Sequence, residues 1–468
     1  MSRVGVVGAG YVGLTTAACL AHLGHDVVCG DVDVDKIARL SRGDVPILEN
    51  GLPELVAAGL RRGRLSFVLG AGAAAVGQEF VFLCVPTPQR PDSSADLSFV
   101  EEALRELAPV LRPDAVVVAK STMPPGSSRH VRRVLAAIAD CPPSVGVVSN
   151  PEFLREGSAV HDFLHPDRIV IGSDEPETAV RVSALYKGIQ APLLVTDCAS
   201  AEMIKYASNT FLATKISFVN AIANLCEAFD ADVRSVTLGM GYDHRIGFDF
   251  LSPGPGYGGP CLPKDTAALI RAAEGVDYDF SLLRGVTKVN ETQHARVVEK
   301  VEAVTGGVEG VRIAVWGLTF KADTDDLRGS PALEVVRRLL AAGALIAAFD
   351  PAAGEEAGSL LGAGEINIRE VTIPDPEVVL VGERAMATAP AAAPLRVPPD
   401  RFFATRDAYE ACRDAAVLVV LTEWDEFRWL DFERVQRLMS VPSVVDARNI
   451  LDPAALRRIG FSYQGIGR

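Results

Sequence analysis

The sequence predicts an α/β protein: two Rossmann-like doubly wound domains joined by a long central helix. Three observations carry that expectation. A glycine triplet, Gly8-Ala-Gly10-Tyr-Val-Gly13, stands between two apolar, strand-like runs; the middle of the chain holds a helical pattern without internal Gly or Pro; and a second strand, helix, strand series begins at Val311-Arg-Ile-Ala-Val-Trp-Gly317. Strands alternating with helix-length segments build a largely parallel sheet covered on both faces. At 468 residues and 49% hydrophobic content, the chain has room for two or three such cores.

Residues 3–8 are a short Val-rich run, 14–23 a helix-compatible segment stopped by Gly24, and 26–30 a second apolar run ending at Asp31. This strand, turn, helix, strand, acid order is the context that gives a glycine triplet meaning. Further strands are expected at 80–85, 115–119, 145–149 and 168–172. Over 199–230, Met203, Ile204, Ala207, Phe211 and Leu212 recur at three-to-four spacing, the mark of an amphipathic helix long enough to bridge domains. After 311, a helix is expected over 331–342 and strands at 344–350, 416–421 and 443–446. Residues 385–399, rich in Ala and Pro, read as an exposed loop or linker.

A formal net charge of −14 disfavours electrostatic adhesion to nucleic acid or an anionic membrane. No apolar run approaches the ~20 residues that cross a bilayer, and the apolar start turns into the glycine fingerprint before any cleavage site, so a cytoplasmic location is expected. The eight cysteines are scattered without CxxC pairs, which suits reduced thiols rather than disulfides or a metal site.

Glycines at 8, 10 and 13 allow a tight turn, close approach of a pyrophosphate and close helix packing, with free N–H groups at the helix start to receive phosphate. Asp31, at the end of the next strand, can accept both ribose hydroxyls and repel a 2′-phosphate, which favours NAD over NADP. Among the cysteines, Cys261 alone lies on a glycine-rich loop, Gly254-Pro-Gly-Tyr-Gly-Gly-Pro-Cys261-Leu-Pro263-Lys264-Asp265. Gly256, Gly258 and Gly259 are expected to leave the backbone open to a ligand. A helix starting near Pro263, with Lys264 in its first turn, is expected to favour thiolate over thiol. Lys205 and Asn209 lie four apart on one helix face, which also suits a solvated stripe; Glu152, after Asn150-Pro151, also suits a helix cap.

The loop around Cys261 resembles the signature of the UDP-glucose 6-dehydrogenase and nucleotide-sugar dehydrogenase family. So do Gly8 to Gly13, Val85-Pro-Thr87-Pro, Lys120-Ser-Thr122, Asn150-Pro-Glu152-Phe-Leu-Arg-Glu156, Glu202-Met-Ile-Lys205-Tyr-Ala-Ser-Asn209, and Gly317-Leu-Thr-Phe320-Lys321 through Arg328. The resemblance implies an NAD-binding domain over 1–197, a central helical and dimerisation region carrying the catalytic loop over 198–305, and a domain binding the nucleotide sugar over 306–468. It implies oxidation of a sugar CH₂OH to a carboxylate with two NAD per turnover, with Cys261 as nucleophile, first in a thiohemiacetal and then in a thioester. Lys205 and Asp265, with a water, would supply base and cation for the first step; Lys205 and Asn209 would hold the oxyanion; Glu152 would assist hydrolysis and Thr122 would position the water.

By the same resemblance the cofactor would meet Gly8, Gly10, Tyr11, Val12, Gly13, Asp31, Lys36, Thr87, Thr122, Lys264 and Arg328. The substrate would meet Glu152, Phe153, Leu154, Glu156, Lys205, Asn209, Phe250, Tyr257, Gly258, Phe320, Lys321 and Arg448, with Arg245 reaching across a dimer interface. No metal is expected, and the assembly is expected to be a homodimer or larger homo-oligomer. The chain departs from the family at Phe250-Leu251-Ser252-Pro253, where a lysine is common. This leaves UDP-glucose as the leading substrate, dTDP-glucose as a rival, and GDP-mannose and UDP-N-acetylhexosamines behind them. A two-electron hydroxyacid-type dehydrogenase and a non-catalytic NAD-binding regulator are the competing functions.

Overall fold

The computed structural model describes residues 1–353, 357, 361 and 401–468. The 385–399 segment expected to be a loop lies outside the described residues. Two compact units emerge: one of residues 1–218, 260–288 and 323–325, the other of 219–259, 289–322 and 326–468.

The first unit is built on eight strands: β1 (Arg3–Val7), β2 (Asp26–Asp31), β3 (Leu65–Leu69), β4 (Phe80–Leu83), β5 (Val116–Ala119), β6 (Gly146–Ser149), β7 (Ile169–Gly172) and β8 (Leu193–Thr196). They lie in the order β3-β2-β1-β4-β5-β6-β7-β8. All six strands expected here form. The central ones are buried at every position, because helices cover both faces and leave no polar side to alternate with. Sequence reading missed β3 and β8, two short edge strands whose apolar residues are mostly half-buried or exposed. The sheet also departs from all-parallel pairing, since β6 meets β7 antiparallel at Ser149 and Gly172. Because β1 has β2 on one side and β4 on the other, its carboxyl end is the switch point at which such sheets hold ligands.

The helix Cys198–Ala228, 31 residues long, replaces the expected 199–230 pattern almost residue for residue. Its residues to Phe218 belong to the first unit and those from Val219 to the second.

The second unit holds β9 (Arg312–Trp316), β10 (Leu345–Phe349), β11 (Phe402–Thr405), β12 (Val417–Val420), β13 (Ser443–Asp446) and β14 (Ser462–Gly465), in the order β11-β10-β9-β12-β13-β14 with every pair parallel. Its first turn closes on itself. Asp350, at the end of β10 where Asp31 stands in the first unit, accepts from Leu318 N at 2.7 Å, Thr319 N at 3.0 Å and Trp424 Nε1 at 3.4 Å. A buried carboxylate with those donors stabilises the turn itself.

Candidate active site

The glycine turn after β1 divides its labour. A Cβ on Gly8, at φ +98°, would lie 2.6 Å from Cys84 O, and one on Gly13 would lie 1.7 Å from Gly8 O, so both glycines serve packing. Gly10 faces open space, with nothing within 4 Å, and caps the helix Tyr11–His22. That is the position at which a pyrophosphate needs bare backbone and a helix N-terminus. Asp31 Oδ2 accepts from Ala9 N at 2.7 Å and from Lys36 Nζ at 3.3 Å, which fixes the carboxylate beside the turn. Val12 packs against the core, and Thr87 donates to Thr122 O at 2.8 Å, tying the loops after β4 and β5 together. Tyr11 donates to Asp325 Oδ1 at 2.8 Å. This cradle fits a dinucleotide.

Around the carboxyl ends of β5 and β6 the chain collects its ionisable side chains. Lys205 and Asn209 share one face of the Cys198–Ala228 helix, and that face is buried rather than solvated. Lys205 Nζ donates to Glu152 Oε1 at 2.8 Å, with each side chain 5% exposed. Glu152 Oε2 accepts from Leu154 N at 2.7 Å within an irregular segment, so Glu152 caps no helix. Burial alone would raise the Glu152 carboxyl, but the Lys205 ammonium holds it below its usual range; burial opposes the Lys205 charge, yet Glu152 carries it above the ordinary lysine range. The second group runs through Asp265, fully buried, which accepts from Asn209 Nδ2 at 2.7 Å and Lys264 Nζ at 2.6 Å.

Cys261 caps the helix Leu262–Glu274, whose first turn holds Pro263 as expected. The surroundings of Cys261, itself partly buried, run against the thiolate expectation. Burial pushes the Cys261 thiol up to about 12, and the Glu152 and Asp265 carboxylates add to the effect against Lys205 and Lys264. Both lysines are already paired with carboxylates, so the sulfur meets two ion pairs rather than two free cations. Six of the other cysteines are buried and Cys141 is partly so.

In the second unit the glycine loop is corrected in the same way. Cβ atoms on Gly256, Gly258 and Gly259 would lie 2.8 Å from Asn290 Oδ1, 2.2 Å from Gly329 O and 2.8 Å from the Phe320 ring, so these glycines let the protein close on its own loop rather than open it to a ligand. Asn290 also clamps Tyr257, accepting from its N at 2.7 Å and donating to its O at 3.0 Å. Gln293 donates to Gly254 O at 2.9 Å, and Gly254 N donates to Asn220 at 2.8 Å. These three amides have no local signal, because each meets its loop partner more than thirty residues away.

Phe250 sits at φ +61°, an uncommon conformation for a bulky residue and one that clusters at functional loops. Arg448 donates to Leu421 O at 2.8 Å and Phe320 O at 3.2 Å and pairs with Glu423, which anchors the loop that bears Phe320. Lys321 lies 5.8 Å over the Phe320 ring, Arg328 pairs with Asp326, and Arg245 is exposed beside Asp243. In the first unit, Glu156 accepts from Thr324 at 3.4 Å, and Phe153 stacks under Arg168 at 3.6 Å.

The chain matches three consecutive family descriptions: the NAD binding domain of the UDP-glucose/GDP-mannose dehydrogenase family over residues 2–190, its central domain over 199–292, and its UDP binding domain over 314–453. It is 42% identical to a UDP-glucose 6-dehydrogenase of Rhizobium meliloti (strain 1021), covering 100% of this chain and 99% of that one. It is 38% identical to the UDP-glucose 6-dehydrogenase TuaD of Bacillus subtilis (strain 168), covering 100% and 94%. The structure of a UDP-glucose dehydrogenase from the hyperthermophilic archaeon Pyrobaculum islandicum superposes with a TM-score of 0.86 at 36% identity, covering 100% and 98%.

Proposed function

The chain belongs to the UDP-glucose/GDP-mannose dehydrogenase family and is an NAD-dependent nucleotide-sugar 6-dehydrogenase; from that premise we propose that it oxidises the C6 alcohol of UDP-glucose to the carboxylate through a thioester on Cys261. The observation that carries this reading is the convergence of two ion pairs, the buried Lys205–Glu152 and the partly buried Lys264–Asp265, on the field at one cysteine. Bound NAD supplies the hydride acceptor for both oxidations, held by the Gly8 to Gly13 turn, Asp31, Lys36 and Thr87. The chain's own residues handle protons and charge.

Lys205, protonated in its pair with Glu152, serves as the cation beside the reacting oxygen, which leaves Asp265, through a water, as the acceptor of the alcohol proton. The Cys261 S–H adds across the aldehyde C=O, sulfur to carbon and proton to oxygen, to give the thiohemiacetal. A neutral thiol therefore suffices for this step. Loss of the carbinol hydride and the hydroxyl proton leaves the thioester, and Lys205 with Asn209 stabilises each oxyanion. Glu152 then takes a proton from the water that cleaves the C–S bond, the thiol is restored and the carboxylate leaves; Thr122 positions that water. In the second unit Phe250, Tyr257, Phe320, Lys321 and Arg448 hold the nucleotide and sugar.

The exposed stripe Met203, Phe211, Phe218 and Leu225 on the long helix supports a homodimer, with Arg245 offered to the neighbour's sugar. Among the described residues no helix is long and apolar enough to cross a membrane. Ser252-Pro253 supports a second reading, dTDP-glucose, while the match to a UDP binding domain favours UDP.

NADH release from a panel of UDP-, dTDP- and GDP-sugars tests the proposal. Two NADH per UDP-glucose, with UDP-glucose the best substrate, is expected. One NADH per sugar would overturn the four-electron reading, and faster turnover of dTDP-glucose would overturn the base.

A further inference from the structure

Lys120 directly follows β5 and is 5% exposed, yet among the described residues its ammonium hydrogen-bonds an amide and no carboxylate. Its ammonium donates to Asn150 Oδ1 at 3.3 Å and lies 5.7 Å and 5.8 Å from the ring centres of Phe163 and Tyr186. A buried amine on neutral partners is costly, and such groups persist where their charge is used. Asn150 is locked from three sides: its Oδ1 accepts from Lys120 and from the Tyr186 hydroxyl, and its Nδ2 donates to Val170 O at 2.8 Å. Two residues on stands Glu152. The two lysines whose charge bears on Glu152 come from different elements: Lys205, from the long helix, makes the ion pair, while Lys120, just after β5, hydrogen-bonds Asn150.

We propose that Lys120 is a positioning residue for Glu152, fixing the 150–152 turn through Asn150 and keeping the Glu152 carboxylate ionised with a second buried positive charge. The inference rests on the reading of Glu152 as the group that activates water. Burial pushes the Lys120 amine down to about 8; Glu152 favours its charge and Lys205 opposes it, while the neighbouring Cys84 and Cys19 thiols, each pushed up to about 12 by burial, stay uncharged, so the amine carries its charge below about 8. Glu152 feels Lys205 and Lys120 as cations, and both lower it. Removing the Lys120 charge therefore raises Glu152, and the pH below which water activation fails moves upward.

The full-length enzyme with NAD and UDP-glucose is compared with its Lys120→Met and Lys120→Gln variants, by kcat from pH 3.5 to 9, KM for NAD and thermal melting. Lys120→Met is expected to melt within a few degrees of the parent or above it, to lose about tenfold in kcat at pH 7, and to shift the acid limb up by about one pH unit. Lys120→Gln keeps a donor for Asn150 and is expected to recover part of kcat while keeping the shifted limb. If Lys120→Met does not fold, the acid limb of Lys120→Gln decides. An acid limb at the parent position in the variants that fold, or a kcat within twofold for Lys120→Met, overturns the inference. Glu152→Gln separates the two claims: abolished turnover there with unshifted Lys120 variants sinks Lys120 alone, and undiminished turnover sinks the Glu152 reading and this inference with it.

Discussion

Lys205 donates to Glu152 across 2.8 Å, and both side chains are 5% exposed. The pair is thus a structural element as well as a chemical one. Glu152→Gln leaves a buried ammonium without its carboxylate, and a loss of about 3–5 kcal/mol is expected in urea unfolding. The same variant is expected to retain acyl enzyme after a quench, seen as added mass on the Cys261 peptide. Parent stability together with parent turnover would contradict both roles.

The pH dependence of stability follows from the same pair. The folded Glu152 carboxyl lies below its reference of 4.5, so its contribution is present above about 4.5 and is lost as pH falls through the folded value. The folded Lys205 ammonium lies above its reference of 10.5, so its contribution is present below that value and is lost as pH rises through the folded one. Between the two, the pair contributes a plateau. The difference in denaturation midpoint between the parent and the Lys205→Met, Glu152→Gln double variant is expected to be flat from pH 6 to 9 and to change at both extremes.

A thiol pushed up to about 12 is about one part in ten thousand ionised at pH 8. Alkylation of Cys261 in the ligand-free enzyme, followed by peptide mass, is therefore expected to be slow and to rise about tenfold per pH unit without a plateau below pH 10. Glu152→Gln removes a carboxylate that raises the thiol and is expected to speed the reaction. A plateau near pH 7 would show an activated thiolate instead.

A methyl group on Gly258 would meet Gly329 O at 2.2 Å and Pro331 at 2.5 Å, where backbone and a ring have little freedom to yield. Gly258→Ala is expected to cost about 1–3 kcal/mol and to lower the melting temperature. Gly10→Ala meets nothing within 4 Å and is expected to leave the melting temperature unchanged while weakening NAD binding. The contrast separates glycines kept for packing from the one kept for a ligand.

Glycine triplets, the acid at Asp31, the 31-residue helix and the order of motifs around Cys261 were all legible in the chain, because each is a local pattern of residue type and spacing. The core strands were legible for the same reason. The four edge strands β3, β8, β11 and β14 were not, since each is a short, partly exposed segment paired to a neighbour on one side only, with no continuous buried run to mark it.

What the sequence determined by itself is the inventory: the family, the cofactor fingerprint, the cysteine and the charged residues near it. Only the tertiary structure decided how those charges are spent. Glu152 and Lys205 are 53 residues apart, and Asn209 and Asp265 are 56 apart, so no local pattern records their pairing. Once paired, the lysines cease to be free cations, and burial with the Glu152 and Asp265 carboxylates pushes the Cys261 thiol up where spacing alone predicted an activated thiolate. Through-space pairing and desolvation set ionisation, and both exist only after the chain has folded.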